Sequence, residues 1–152
     1  EQAATLLKNE NNVLPFQNIG KIKVAYVPLE EAEYERFYKN LQFHLPVELV
    51  KIKSVAEVSK LRDFDYVIVG LHKSNETAYK SYKISAGSKS ILKAISEQNT
   101  TILTLFGSPY ALMDLDVSQT NSILVLYQNL KISTLIYLVI TRMTIYLLRS
   151  MI

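Results

Sequence analysis

The sequence contains no cysteine and only four glycines among its 152 residues. Without thiols the chain can form no disulfide bond, no thiolate metal site and no cysteine nucleophile. Neither a G-x-G-x-x-G segment nor a Walker lysine loop is present, which excludes the common phosphate-binding loops of nucleotide enzymes. A G-x-S-x-G segment, which would hold an exposed serine nucleophile, is also missing. These absences remove several common classes of enzyme.

Charged and metal-ligating residues are too scattered to form a recognisable cofactor or nucleic-acid site. The 17 basic and 14 acidic residues give a net charge of +3, and no basic stripe with interleaved aromatics is visible, so we expect no nucleic-acid binding. His44 and His72 fall in separate predicted loops without acidic partners at ligand spacing, so we expect no metal and no cofactor. Glu30 and Glu31 could pair as in a phosphoryl-receiver domain, but the third predicted strand does not end in an aspartate.

Apolar runs of strand length recur along the chain, separated by stretches of helix length. The runs at 66–69 and 123–126 are continuous rather than alternating, which is typical of strands covered on both faces. The pattern predicts an α/β fold, namely a doubly wound, mostly parallel sheet of about five strands flanked by helices, a flavodoxin-like sandwich. The predicted strands are Ile22–Val27, Val47–Ile52, Tyr66–Leu71, Thr101–Phe106 and Ser122–Tyr127.

Helical spacing and capping residues occupy the stretches between these strands. Ser54 and Glu57 have the spacing of a capping box, in which each side chain satisfies the other residue's free backbone N–H. Ser108 followed by Pro109 is typical of a helix N-terminus. The apolar stripes that predict helices are Tyr34/Phe37/Tyr38/Leu41, Val55/Val58/Leu61 and Ile91/Leu92/Ile95.

The two ends of the chain differ from its centre. Residues 1–16 are predicted to be the end of a helix and a linker closed by Pro15, and residues 17–129 the sandwich domain. The sequence starts at Glu1 without a methionine, on a pattern of Ala3, Ala4, Leu6 and Leu7 typical of the inside of a helix, so we expect a cut rather than a native start. No signal-peptide pattern is present. The hydrophobic tail, 130–152, has Arg142 in mid-run, so we expect a helix packed on the sheet rather than a membrane span.

Ligands of open α/β sheets gather at the carboxyl ends of the strands, and two predicted loops there are candidate sites. The polar and aromatic loop after the third strand suits contact with a sugar or a neighbouring domain, although a solvated connection is the alternative. The loop after the fourth strand is the second candidate site; the alternative is that its residues are only a helix cap and a core aromatic. The candidate residues are His72, Lys73, Ser74, Asn75, Glu76 and Tyr79 in the first loop, and Ser108 and Tyr110 in the second.

Taken in order, several segments resemble the C-terminal α/β domain of glycoside hydrolase family 3, over residues 1 to about 129. The segments 70–75, 81–83 and 127–129 are most similar to the bacterial β-N-acetylglucosaminidase-like branch. The other matching segments are Leu6-Leu7-Lys8-Asn9 with Leu14-Pro15, Ile22–Val27, Tyr66-Val67-Ile68-Val69-Gly70 and Leu105-Phe106-Gly107-Ser108-Pro109-Tyr110.

The resemblance implies a retaining glycosidase whose nucleophilic aspartate lies on a preceding TIM barrel. The present domain would help to frame the sugar pocket, would be inactive alone, and would come from a periplasmic or secreted parent. In the β-glucosidase branch a glutamate of the loop after the third strand is the acid/base residue, and Glu76 is the one acid available there. In the glucosaminidase-like branch a histidine–aspartate pair on the barrel takes this role, which leaves Glu76 as an ordinary loop charge.

The family pattern stops after Asn129, where the resemblance would require a small-residue helix and a closing strand. We therefore expect a truncated or frame-shifted end. A free-standing flavodoxin-like binding or interaction module remains the alternative. The glycosidase hypothesis predicts an exposed apolar patch for the missing barrel, whereas the alternative predicts a well-covered surface.

Overall fold

A computed structural model describes residues 4–30, 34–72, 84–107 and 109–126, which form one six-stranded sheet with helices on both faces. The strands are β1 (Ala4–Asn9), β2 (Val24–Glu30), β3 (Val47–Leu49), β4 (Tyr66–His72), β5 (Thr100–Phe106) and β6 (Ser122–Leu126). The α-helices are α1 (Glu35–His44) and α2 (Ala86–Gln98), and short 3₁₀ helices span Glu10–Asn12, Ile19–Lys21, Val55–Leu61 and Pro109–Asp114.

The strand order is β1-β6-β5-β4-β2-β3, and every neighbouring pair is parallel except β1 and β6. Apolar side chains fill both faces of the sheet. One face packs against α2 and the 3₁₀ helices Val55–Leu61 and Pro109–Asp114, and the other against α1 and the segment around Leu14 and Phe16. The predicted α/β class and mostly parallel sheet are therefore confirmed, with six strands in place of about five.

The first segment corrects one prediction, because residues 4–9 form a strand and not the end of a helix. Leu6 is buried while Leu7 is 49% exposed, which is the alternation of a strand with one covered face. The backbone of β1 pairs antiparallel with β6, and its register shifts between Leu6 and Lys8. Part of the predicted linker is thus an edge strand of the sheet.

The turn that follows β1 is held by a clamp, the pair of hydrogen bonds between the Asn9 side chain and the Leu14 backbone. Asn9 Nδ2 donates a hydrogen bond to the Leu14 carbonyl (2.9 Å), and Asn9 Oδ1 accepts from the Leu14 N–H (3.0 Å) and the Ser122 hydroxyl (2.8 Å). Lys8 Nζ donates to the carbonyl of Val117 (3.1 Å). The lysine and the asparagine therefore fasten the turn to the segment that leads into β6.

Sequence predicted the helices with one exception. Phe37 and Leu41 of α1 are buried, as are Ile91, Leu92 and Ile95 of α2. The stretch after Ser54 is instead a 3₁₀ helix, and Ser54 makes no side-chain cap bond; the Glu57 carboxylate accepts from the Lys53 N–H (3.0 Å). The capping-box prediction is wrong because the glutamate binds one residue earlier than a box requires.

The hydrophobic tail, 130–152, lies outside the described residues, as does the predicted strand end at Tyr127. Within the described ranges no helix is long and apolar enough to cross a membrane.

Replacing Asn9 with alanine should lower the free energy of unfolding by about 1–3 kcal/mol, because the buried Leu14 N–H and carbonyl lose their partner. Urea denaturation of the full chain measures the change. Gln17→Ala, at an exposed position of the same segment, is the matched control and should have little effect. Equal stability of the two variants would show that the clamp does not hold the turn.

Candidate functional site at the carboxyl edge of the sheet

Four strand ends lie side by side at the carboxyl edge of the parallel strands. Glu30 of β2 is in register with His72 of β4, which pairs with Phe106 of β5, which pairs with Leu126 of β6. Loops that leave these positions must begin next to each other, so this edge is where the fold can assemble a ligand site.

The structure describes two of the predicted site residues, His72 and Tyr110. His72 was expected to begin a loop, but it is the last residue of β4 and is buried, at 9% exposure. Tyr110 lies in the 3₁₀ helix Pro109–Asp114 and is 65% exposed, so the alternative of a core aromatic is wrong. The remaining predicted site residues, Lys73, Ser74, Asn75, Glu76, Tyr79 and Ser108, lie outside the described residues. His44, also expected in a loop, is the last residue of α1.

His72 is buried against a tyrosine from the neighbouring strand. The Tyr26 hydroxyl is hydrogen-bonded to His72 Nε2. Gly70 makes room for this pair, since a Cβ at position 70 would lie 1.9 Å from the Tyr26 hydroxyl oxygen and 2.8 Å from His72 Nε2. Any side chain at position 70 would therefore occupy the space that the pair fills.

Aromatic rings enclose the histidine on two further sides. The Phe106 ring stacks on the imidazole with 4.3 Å between centroids and an interplanar angle of 10°. The Phe37 ring, from α1, meets the imidazole edge-on at 6.4 Å and also contacts Phe106 at 4.6 Å. Because β2, β4, β5 and α1 each contribute one ring, the histidine joins all four elements.

The rings of Tyr26, Phe37 and Phe106 form a cage around His72. Inside this cage the Tyr26 hydroxyl and the His72 imidazole are both uncharged at neutral pH. Burial raises the pKa of the Tyr26 phenol well above its usual value, so the hydroxyl stays protonated and can donate to His72 Nε2. Burial also lowers the pKa of His72 from 6.5 to about 4. With Nε2 accepting from Tyr26, the imidazole proton lies on Nδ1. His72 is therefore a neutral, oriented ring and not a cation for binding an anionic ligand.

The start of α2 is fastened at the same edge. Glu30 has a left-handed backbone (φ 65°), and its Oε1 accepts from the Ser85 N–H at 2.8 Å. Asp114 Oδ2 accepts from the Ile84 N–H at 2.9 Å, and Asp114 Oδ1 pairs with Lys89 Nζ at 2.9 Å. The two residues that flank the segment 73–83 are thus both held by distant side chains: His72 by Tyr26, and Ile84 by Asp114.

Sequence reasoning missed Tyr26, Gly70 and the pair Tyr34–Lys51. A glycine inside an apolar strand run is a signal of close approach, and it could have pointed to Gly70.

Lys51 Nζ lies 5.4 Å from the centre of the Tyr34 ring, and interaction with the Tyr34 side chain raises the pKa of the lysine. Across the described ranges, no group of three His, Asp or Glu side chains could hold a metal ion.

No protein-family model matches the sequence, and no curated protein is similar enough to serve as a relative. Solved structures do match. This chain has the fold of the α/β domain of family 3 glycoside hydrolases. It is similar to a β-glucosidase from Listeria innocua (TM-score 0.69, 18% identity, 91% of this chain and 23% of that one) and to a family 3 β-glucosidase from Bifidobacterium adolescentis (0.64, 18%, 91% and 25%).

A fungal multi-domain family 3 β-N-acetylglucosaminidase matches as well, with TM-score 0.61 and 19% identity over 80% of this chain and 14% of that one. The chain thus spans about a quarter or less of the length of these proteins. The fold expected from the family 3 resemblance is confirmed, and the neighbours are regions of much longer enzymes.

Replacing Gly70 with alanine should lower the free energy of unfolding by about 1–3 kcal/mol, because the new methyl group overlaps the Tyr26–His72 pair. Gly87→Ala is the matched control. A Cβ there meets no atom within 4 Å, and in a helix alanine is favoured over glycine by up to about 1 kcal/mol. Thermal denaturation of both variants checks the contrast; a Gly70→Ala protein as stable as Gly87→Ala would contradict the packing described.

Proposed function

We propose that the chain is the α/β domain of a family 3 glycosidase and that it completes the sugar site of a preceding TIM-barrel domain. The observation that carries the proposal is the fold match, which covers 91% of this chain but only about a quarter of two β-glucosidases. A domain matched in this way supports a parent enzyme whose nucleophile lies elsewhere. Retaining glycosidases need a nucleophile and an acid about 5 Å apart, and this domain would supply the wall of that pocket.

The path of the chain supports an interdomain role for the carboxyl edge. Because β1 is antiparallel to β6, Ala4 pairs with Leu126 at the carboxyl end of β6. Leu126 is in register with Phe106 and, through β5, with His72. A polypeptide that precedes Ala4 would therefore reach the sheet at the edge where the candidate loops begin.

Exposed apolar side chains at this edge also support the proposal. Tyr110 is 65% exposed and Met113 85% exposed, while Ala111 between them is buried. In a 3₁₀ helix the side chains of residues i and i+3 lie above each other, so Tyr110 and Met113 form one surface. An exposed aromatic side chain beside an exposed methionine suits contact with a sugar ring or a neighbouring domain. The patch favours the glycosidase hypothesis over a self-contained module.

For the substrate we propose a β-linked N-acetylhexosamine, on the resemblance of residues 70–75 to the glucosaminidase-like branch. In that branch Glu76 is a loop charge. The competing proposal is a parent of the β-glucosidase branch. In that case the domain would still complete the sugar site, but Glu76 would be the acid/base residue.

The isolated chain should not hydrolyse chromogenic glucosaminides or glucosides, whereas the chain joined to its upstream coding sequence should hydrolyse a glucosaminide. In the joined protein, Tyr110→Ala should lower kcat/KM by roughly 10- to 100-fold, since a pocket or interface contact is lost. Phe43→Ala is the matched control, because Phe43 is another exposed aromatic (83%, against 65% for Tyr110) and lies near the end of α1 that leads into β3. Hydrolysis by the isolated chain would overturn the proposal.

Glu76→Gln tests which branch applies. We expect kcat in the joined protein to stay within about threefold of the parent value, because the charge takes no part in proton transfer. If Glu76 were the acid/base residue, kcat would fall by about 10²- to 10⁴-fold. Steady-state kinetics with a glucosaminide and a glucoside separate the two outcomes, and a large loss on the glucoside would assign the β-glucosidase branch.

A further inference from the structure

The helix α1 packs on the sheet through buried apolar side chains and through Tyr38, whose hydroxyl accepts from the Leu49 N–H (3.2 Å) of β3 and whose ring stacks on Tyr26 at 6.1 Å. Among its ten residues, Phe37 and Leu41 are buried. The Phe37 ring touches the three rings of the cage: it lies 5.4 Å from Tyr26, 6.4 Å from His72 and 4.6 Å from Phe106. The seat of Phe37 on the carboxyl half of the sheet therefore depends on the ring of His72 staying where it is.

Among the residues that the structure describes, the side chains in contact with His72 carry no charge. The described side chains that face His72 are Tyr26 from β2, Phe37 from α1 and Phe106 from β5, and Tyr26 alone among them can titrate. Glu30, in register with His72, accepts from the Ser85 N–H at the start of α2. The charged residues of α1 are exposed: Glu35, Arg36 and Lys39.

A proton on His72 would disturb the cage in two ways. It would take the Nε2 position that now accepts from Tyr26, so the tyrosine hydroxyl would have to turn its hydrogen into an apolar cluster. It would also put a positive charge among aromatic rings, where desolvation is unfavourable. Both effects are relieved if the ring of Phe37 moves away and water reaches the imidazole.

We propose that His72 and Tyr26 form an acid-sensitive lock, and that protonation of His72 releases α1 from the sheet while the α2 face stays packed. The asymmetry follows from the contacts. The hydrophobic cluster on the α2 face contains Ile91, Leu92 and Ile95, and Tyr26, Phe37, His72 and Phe106 do not belong to it. The lock is a property of this domain and does not depend on the glycosidase role.

The direction of the effect follows from linkage. In the closed form the pKa of His72 is about 4, and in an open form exposed to water it would return toward 6.5. Protons therefore bind the open form better between these values, and the opening equilibrium of α1 shifts toward the open state as pH falls. Over the full interval the shift is on the order of 100-fold. Above about pH 6.5 the opening equilibrium of α1 should not depend on the protonation of His72.

Hydrogen–deuterium exchange of the full chain at pH 7.0, 5.5 and 4.5, corrected for intrinsic exchange rates, tests the lock. We expect the protection of α1 amides to fall by 10- to 100-fold across this series and that of α2 amides to change several-fold less. His72→Gln should abolish the pH dependence in α1. His44→Gln is the matched control, since His44 is the other histidine of the chain and lies on α1 itself, and it should retain the dependence.

Nitrogen-15 NMR of the histidine rings in the unaltered chain provides a second readout that needs no variant. His72 should show the Nδ1–H tautomer at neutral pH and titrate near pH 4. Parallel loss of protection in α1 and α2, an unchanged pH dependence in His72→Gln, or titration of His72 near its ordinary pKa would each overturn the proposal.

Discussion

The packing at the carboxyl edge of this sheet depends on residue 70 being a glycine, which has no side chain. Gly70 leaves a space above β4 into which Tyr26 reaches from β2, so that its hydroxyl meets His72. Phe37 and Phe106 then close the space from α1 and β5. A buried polar pair with a single good hydrogen bond is strongly orienting, because each partner would be costly to leave unpaired in an apolar surrounding. The loop after His72 therefore starts from a fixed point.

The two faces of the sheet are built differently. On one face α2 and two 3₁₀ helices bring a continuous set of aliphatic side chains onto the strands. On the other face α1 contributes two buried residues, and the segment around Leu14 and Phe16, fastened by Asn9, covers part of the rest. The second face also contains the titratable pair. Its packing is therefore the part of the domain that would respond to protonation of His72.

The same arrangement explains how the domain could serve a larger enzyme. The antiparallel β1 brings Ala4 to the edge where β6 ends, and the fastened start of α2 fixes the other end of the segment that follows His72. Chain entry, candidate loop and exposed Tyr110–Met113 surface thus share one edge. A domain that offers shape and a few polar contacts, without a nucleophile of its own, fits the wall of a pocket better than a self-sufficient active site.

The sequence by itself determined the α/β class, the parallel strands and the positions of α1 and α2, because burial on both faces leaves continuous apolar runs and helical stripes that are local patterns. The tertiary structure decided what depends on distant partners. Residues 4–9 are a strand because β6 pairs with them, and Asn9 acts on Ser122, 113 positions away. His72 is a caged strand residue rather than a loop residue because Tyr26, 46 positions earlier, reaches it over Gly70. Local apolar patterns predict which faces of the strands and helices are buried, but the burial of His72 and the partner of each side chain depend on the folded chain.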